Sequence, residues 1–231
     1  MRAAQGGRRR RVRFFVTGTD TNVGKTEVAA ALLGLMRARG HTPFAFKPYE
    51  SGVADLSSPP DALRLRQAGG GSQSLDTVSL YRFEQPLAPA IAARLERRPT
   101  RWREVLRVYR RFGEQPGVIE GAGGLFVPLD ARHDVIDLIS ALEAPVVLVA
   151  RAGLGTLNHT LLSLEALRAR KVKVAAVVLN STSAVSDPSV PHNRAELERR
   201  APRLTLLGPT RFVQHQAARS AMLRRTLQAL V

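Results

Sequence analysis

The chain of 231 residues contains no cysteine and only four lysines, which are Lys25, Lys47, Lys171 and Lys173. Without cysteine there is no disulfide framework, no zinc–thiolate site and no thiol nucleophile, and we expect a reducing, cytoplasmic compartment. No stretch is long and apolar enough to span a bilayer. No apolar signal core follows the arginines at 8–11, so we expect no membrane partner.

Acidic residues are scarce, with 19 Asp+Glu against 35 Lys+Arg and a formal net charge of +16. Such a charge suits nucleic acid, an anionic membrane or anionic small molecules. Much of the excess lies before the first predicted strand, and we expect residues 1–12 to form a basic, disordered arm. Aromatic residues do not interleave with the remaining basic residues as a base-stacking platform requires, so we expect no specific nucleic-acid partner.

Hydrophobic residues make up 44% of the chain, and apolar strands alternate with helical segments. We predict strands at 14–17, 43–47, 118–120, 145–150, 172–179 and 204–207, and a loop at 48–60. We predict helices at 26–39, 61–67, 88–97, 101–112, 134–142, 156–170, 194–200 and 217–230. Continuous apolar strands between helices indicate a mostly parallel central sheet covered on both faces. We therefore predict one α/β domain over 13–231, without internal repeats.

The segment 14–26 runs from an apolar strand, through a turn rich in glycine and hydroxyls, into a helix that begins near Gly24-Lys25-Thr26. Backbone N–H groups of such a turn and the positive end of the helix bind phosphate. Lys25 supplies a charge for the β- and γ-phosphates, and the Thr26 hydroxyl can ligate Mg²⁺. The first glycine, Gly18, lies one residue earlier than in the usual phosphate-loop spacing. The segment predicts that the α/β domain has a P-loop NTPase-like fold.

Other polar residues follow the predicted strands, at the sheet edge where ligands bind in this fold class. Lys47 follows the second strand, and Glu120 and Asn180 end later ones. Thr26 and Glu120 provide oxygen ligands for Mg²⁺, while Asp61 suits either a metal or the N-cap of a short helix. Two of the four lysines face this edge, which indicates that a compact ammonium is required there.

Five segments together resemble the dethiobiotin synthetase family: 18–26, 47–52, 120–124, 155–159 and 178–180. The long phosphate loop is part of that family's pattern, and the resemblance extends from about residue 13 to about residue 211. It implies a homodimer that uses ATP and Mg²⁺ to join CO₂ to 7,8-diaminopelargonate. A carbamate forms on one amine, ATP phosphorylates it, and the second amine attacks the mixed anhydride to close the ureido ring.

The resemblance also implies roles for individual residues. Lys25 and Lys47 would stabilise the transferring phosphoryl group and the carbamate, and Ser51 would contact the diamine. Mg²⁺ would be held by Thr26, Asp61 and Glu120. The nucleotide would be bound by these three residues and Lys25 together with Asn22, Val23, Gly24, Gly121, Ala122, Gly123, Asn180, Ser181, Pro209, Thr210 and Arg211. The substrate carboxylate would be bound by Gly155, Thr156, Leu157 and Asn158 of the other subunit.

Two other classes share parts of this pattern. A ParA/MinD-like regulatory ATPase that binds DNA or membrane would use the basic surface, but such proteins usually carry a further lysine early in the phosphate loop. No lysine precedes Lys25. A cobyrinate-type amide-forming synthetase usually carries a glutaminase domain with a cysteine nucleophile, and this chain has no cysteine.

Overall fold

A computed structural model describes residues 12–231, so that nearly all of the predicted basic arm, 1–12, lies outside the described residues. Its strands are β1 (Arg13–Gly18), β2 (Phe44–Phe46), β3 (Tyr49–Ser51), β4 (Tyr81–Phe83), β5 (Gly117–Glu120), β6 (Val146–Arg151), β7 (Val174–Asn180) and β8 (Leu206–Leu207). Its helices are α1 (Lys25–Ala38), α2 (Pro60–Gly69), α3 (Leu75–Val78), α4 (Pro89–Leu95), α5 (Trp102–Arg110), α6 (Val135–Leu142), α7 (Thr156–Ala169), α8 (Val190–Arg200) and α9 (Gln216–Leu227).

Six strands form a central sheet in the order β2-β5-β1-β6-β7-β8, and each neighbouring pair is parallel. Alternate residues of β1 face opposite sides of this sheet. Phe14 and Val16 pack with α1, α2 and α9, whereas Phe15 packs with α5 and α6 on the other side. Both faces are therefore covered, and β1, β5 and β6 are buried almost throughout. The predicted mostly parallel α/β fold is confirmed.

The order of the strands reverses at β1, because the chain passes to β2 on one side of it and to β6 on the other. Ligands bind at such a switch point, beyond the carboxyl ends of the strands. The turn after β1, the residue after β2 and the last residue of β5 all lie at this edge.

The predicted loop at 48–60 is wrong in its first part, because β3 begins at Tyr49. This short strand pairs in parallel with β4, and the two form a separate small sheet. Neither strand alternates strongly enough to be recognised alone, and their pairing joins segments about thirty residues apart. The sequence prediction also omitted α3, and it began α8 four residues too late, at 194 instead of Val190.

In the part of the chain that the structure describes, no helix combines the length and apolar character needed to cross a membrane.

Candidate active site

The turn between β1 and α1 has the backbone geometry of a phosphate-binding loop. Gly24 has φ of 95°, and a Cβ at this position would collide with the amide of Asn180. Glycine is therefore required here both for its backbone conformation and for the close approach of a neighbouring side chain. Lys25 begins α1, and its ammonium donates a hydrogen bond of 2.9 Å to the carbonyl oxygen of Asp20 within the same turn.

Lys25 is buried, with 8% of its surface exposed. Burial lowers its pKa from 10.5 to about 8, although the nearby carboxylate of Glu120 acts in the opposite direction. Near neutral pH the ammonium form therefore still predominates, but by a smaller margin than for a lysine in water. An arriving polyphosphate would supply the negative charge that this buried cation needs.

Lys47, just beyond β2, lies between two carboxylates. Its ammonium is 2.6 Å from Oε1 of Glu120, at the end of β5, and 3.1 Å from Oδ2 of Asp61, in the first turn of α2. Burial by itself lowers the pKa of Lys47, but the charges of Glu120 and Asp61 outweigh burial and raise it above the ordinary value. Lys47 thus stays a cation over the physiological pH range, and its ammonium is held in one place.

The two carboxylate oxygens of Glu120 differ in their hydrogen-bond partners. Its Oε1 accepts hydrogen bonds from Lys47 and from the Thr26 hydroxyl, the latter at 2.8 Å. Its Oε2 is buried and has no hydrogen-bond partner among residues 12–231. A buried carboxylate oxygen without a partner is costly, and it marks a place where a cation or water is expected.

The oxygens around Glu120 are of the type that Mg²⁺ prefers. Thr26 offers a hydroxyl, and Glu120 and Asp61 offer carboxylates close to the phosphate loop. No cluster of three or more His, Cys, Asp or Glu side chains suited to a metal occurs within 12–231. Mg²⁺ does not require such a cluster, because one or two carboxylates together with substrate phosphates and waters normally complete its coordination.

Asn180, at the end of β7, connects two loops. Its Nδ2 donates to the carbonyl oxygen of Val23 at 2.8 Å, and its Oδ1 accepts from the Thr210 hydroxyl at 2.7 Å. The Thr210 amide in turn donates to the carbonyl oxygen of Leu179. The amide of Asn180 therefore supports the phosphate loop directly, and one N–H and one oxygen lone pair remain for a ligand.

These groups surround a cavity of about 720 Å³ at the carboxyl edge of the sheet. Most of the predicted site residues line it: Asn22, Gly24, Lys25, Thr26, Lys47, Ser51, Asp61, Glu120, Ala122, Gly123, Asn180, Ser181 and Arg211. Four predicted site residues are not part of its lining, namely Val23, Gly121, Pro209 and Thr210. A volume of this size is large enough for a nucleotide and a small second substrate together.

The predicted carboxylate-binding segment lies apart from this cavity, in the turn between β6 and α7. Gly155, with φ of 89°, is the N-cap of α7, and Asn158 is exposed in its first turn. Thr156 is buried, and its hydroxyl lies 3.2 Å from that of Thr160. Leu157 is partly buried against the apolar core. The structure therefore does not bring this segment together with Lys25 and Lys47 within one protomer.

Several lining residues were not among those predicted from the sequence. They include Glu50 on β3, the segment 86–89 before and at the start of α4, Phe212 before α9 and Arg219 on α9. Glu50 lay inside a segment that carried the resemblance, but no role followed from its position. The two prolines of Pro86-Leu87-Ala88-Pro89 could be recognised in the sequence as the end of a loop before a helix. Nothing in the local sequence marked Phe212 or Arg219.

Known proteins resemble this chain over most of its length. A family model described as an AAA domain matches residues 12–211. The ATP-dependent dethiobiotin synthetase of Anaeromyxobacter dehalogenans (strain 2CP-C) is 50% identical over 188 residues, which cover 80% of this chain and 84% of that protein. The chain belongs to the dethiobiotin synthetase family.

More distant members of the dethiobiotin synthetase family match over the same extent. The ATP-dependent dethiobiotin synthetase of Bacillus subtilis (strain 168) is 35% identical, with coverage of 80% of this chain and 81% of that protein. Among solved structures, apo McdA of Cyanthece aligns with a TM-score of 0.49 and 11% identity over 93% of this chain and 90% of that one. The membership predicted from the sequence motifs is confirmed by the curated relatives.

Proposed function

We propose that this protein converts 7,8-diaminopelargonate, CO₂ and ATP into dethiobiotin, ADP and phosphate, with Mg²⁺ as cofactor. The observation that carries this proposal is the convergence of Lys25, Lys47 and Glu120 on one cavity, from three separate strand ends. The name that its relatives share supports the same reaction.

The chemistry consists of three bond-forming steps. An amine nitrogen attacks the carbon of CO₂ and loses a proton, which gives a carbamate. A carbamate oxygen attacks the γ-phosphorus of ATP, the bond to the leaving ADP oxygen breaks, and a carbamic–phosphoric anhydride forms. The second amine attacks the carbonyl carbon of that anhydride and loses a proton, phosphate leaves, and the ureido ring closes.

The described residues suit the phosphoryl-transfer step. Lys25 lies in the phosphate loop, and Lys47 is buried and held in place by carboxylates, so both ammonium groups are oriented before ATP arrives. Preoriented charges in a site that excludes water stabilise developing negative charge without further reorganisation. When bound, Mg²⁺ would neutralise charge on the β- and γ-phosphates, and Thr26, Asp61 and Glu120 would hold it.

The proposal includes a homodimer, because the segment 155–158 lies outside the cavity that would need it. Leu154, at the turn, and Leu162, one turn beyond Asn158 on α7, are 78% and 62% exposed. Exposed leucines beside a helix N-terminus suit an interface with a second copy, whose cavity the helix end would complete. A cytoplasmic location remains part of the proposal, since a chain without cysteine suits a reducing compartment.

The experiment that tests the proposed function is ADP release by the purified protein, measured with each substrate omitted in turn. We expect turnover only when ATP, Mg²⁺, the diamine and bicarbonate are all present, together with dethiobiotin detected by mass spectrometry. Rapid ADP release without the diamine would instead favour a regulatory ATPase. Absence of dethiobiotin from the complete mixture would refute the proposal.

A further inference from the structure

The helix α2, which carries Asp61, begins without a capping side chain of its own. Its N-cap position is Pro59, which has no side-chain acceptor, and its first residue is Pro60, which has no N–H. The first free N–H groups of the helix are therefore those of Asp61 and Ala62. Such groups need partners from elsewhere when the helix start is buried.

Glu50 on β3 supplies both partners. Its Oε1 accepts from the Asp61 amide at 2.9 Å, and its Oε2 accepts from the Ala62 amide at 3.0 Å. Only 3% of Glu50 is exposed, although it also contributes to the cavity wall. Burial raises the pKa of the Glu50 carboxyl, while the charge of Lys47 and the two N–H donors at the start of α2 act in the opposite direction.

This long-range cap stabilises α2 and also fixes the start of the helix against β3. A serine or aspartate at the N-cap would satisfy the same donors locally, but it would not tie the helix to another element. Glu50 lies three residues after Lys47 and accepts a hydrogen bond from the backbone amide of Asp61. Oδ2 of Asp61 is in turn 3.1 Å from the Lys47 ammonium. The cap thus links β3, the start of α2 and Lys47 in one rigid arrangement.

We propose that Glu50 is a positioning residue of this enzyme: it holds Asp61 against Lys47 and the magnesium-binding oxygens by capping α2 from β3. The inference rests on the proposed function only in that Asp61 serves Mg²⁺ and nucleotide. Groups that orient metal ligands without touching the metal typically contribute tenfold to a hundredfold to metal affinity or activity.

The test is a Mg²⁺ titration of ATP binding, followed with a fluorescent ATP analogue and without diamine or bicarbonate. Glu50→Gln retains the shape, but its amide group offers a second donor where an acceptor is needed. We expect the Mg²⁺ concentration for half-maximal binding to rise about tenfold. The same rise should appear in steady-state turnover, with kcat lowered more than KM for ATP is raised.

Further variants separate a positioning role of Glu50 from a general effect on stability. Asp134→Asn is the matched control for the change from carboxylate to amide, because Asp134 is the N-cap of α6 on the opposite face of the sheet, and this variant should leave the Mg²⁺ titration unchanged. Glu50→Asp keeps the charge but shortens the side chain, and it should be impaired as well. If Glu50 acts through Asp61, Glu50→Gln should add nothing to the defect of Asp61→Asn.

Each outcome decides the matter. An unchanged Mg²⁺ titration in Glu50→Gln, or fully additive defects in the double variant, would overturn the positioning role. If Glu50→Gln does not fold, the Glu50→Asp titration decides in the same way. Because the titration needs neither diamine nor bicarbonate, it remains informative even if ADP release shows that the proposed reaction is wrong.

Discussion

At the scale of single residues, Lys47 is the group whose chemistry is most sharply defined. Its ammonium contacts Glu120 and Asp61 and cannot be replaced by water without leaving a buried carboxylate unpaired. We expect Lys47→Ala to lower kcat on the order of 100-fold, by analogy with the loss of one preoriented electrostatic stabiliser. The Kd for ATP should change much less, because the charge matters most as the phosphoryl group transfers.

Lys47→Arg provides the companion measurement. A planar guanidinium has the same charge but cannot occupy the place of a compact ammonium between two carboxylates, so rescue should be poor. Thermal unfolding of both variants checks that the fold is retained. Near-wild-type kcat in Lys47→Ala would remove Lys47 from the reaction.

Lys25 leads to a prediction about pH and folding in the protein without nucleotide or metal. Burial lowers its pKa from 10.5 to about 8, so the unfolded state binds more protons than the folded state between these two values. The contribution of Lys25 to the free energy of unfolding therefore rises as pH increases from about 8 to about 10.5. Relative to Lys25→Met, the wild-type protein should gain on the order of 3 kcal/mol across this range.

Urea unfolding of both proteins in a chelating buffer, at several pH values across that interval, measures the difference. Lys171→Met, which removes an exposed lysine, is the control for loss of charge alone. A wild-type-minus-Lys25→Met difference that stays constant with pH would contradict the shifted pKa.

At the scale of elements, the end of β7 supports the phosphate loop. Asn180 bonds the Val23 carbonyl and lies against Gly24, so its amide acts on the loop whatever base the nucleotide carries. We expect Asn180→Ala to weaken binding of both ATP and inorganic triphosphate, each by about tenfold for the loss of a buried hydrogen bond. Isothermal titration calorimetry with the two ligands makes the comparison.

Thr210→Val is the matched variant, since it removes the hydroxyl that donates to Asn180 Oδ1 and accepts from the Ser181 amide. It should weaken both ligands in the same direction but by less. If Asn180→Ala weakened ATP alone and left inorganic triphosphate unaffected, Asn180 would act through the base and not through the phosphate loop.

At the scale of the whole molecule, the decisive prediction concerns the proposed homodimer. If residues 155–158 complete the cavity of a second copy, each active site combines Lys47 of one subunit with Asn158 of the other. Lys47→Ala and Asn158→Trp then inactivate a site through different subunits. Mixed after unfolding and refolding together, the two inactive proteins should regain roughly a quarter of wild-type activity, because half of the dimers carry one intact site.

Each variant refolded alone is the control, and sedimentation of the wild-type protein establishes its state at assay concentration. No recovery in the mixture, with both variants dimeric, would show that 155–158 does not serve a neighbouring cavity. A fully active monomer would refute the dimer itself.

The phosphate loop and the sheet were determined by the sequence, because their signals are local. The order of strand, glycine turn and helix around Lys25 is contiguous, and the apolar runs of β1, β5 and β6 follow from burial on both faces. The positions of Lys47, Glu120 and Asn180 at strand ends could likewise be read before the fold was known. A parallel sheet brings such ends to one edge whatever their separation in the chain.

Only the tertiary structure decided how these groups meet. The ammonium of Lys47 between two carboxylates, the support of Val23 by Asn180 and the capping of α2 by Glu50 join residues from different elements. The small sheet of β3 and β4 was invisible for the same reason, since each short strand is defined by its partner. Periodicity and motif spacing show which residues near one another in the chain lie on the same face of a helix or strand. Distances between side chains of different elements depend instead on how the whole chain packs.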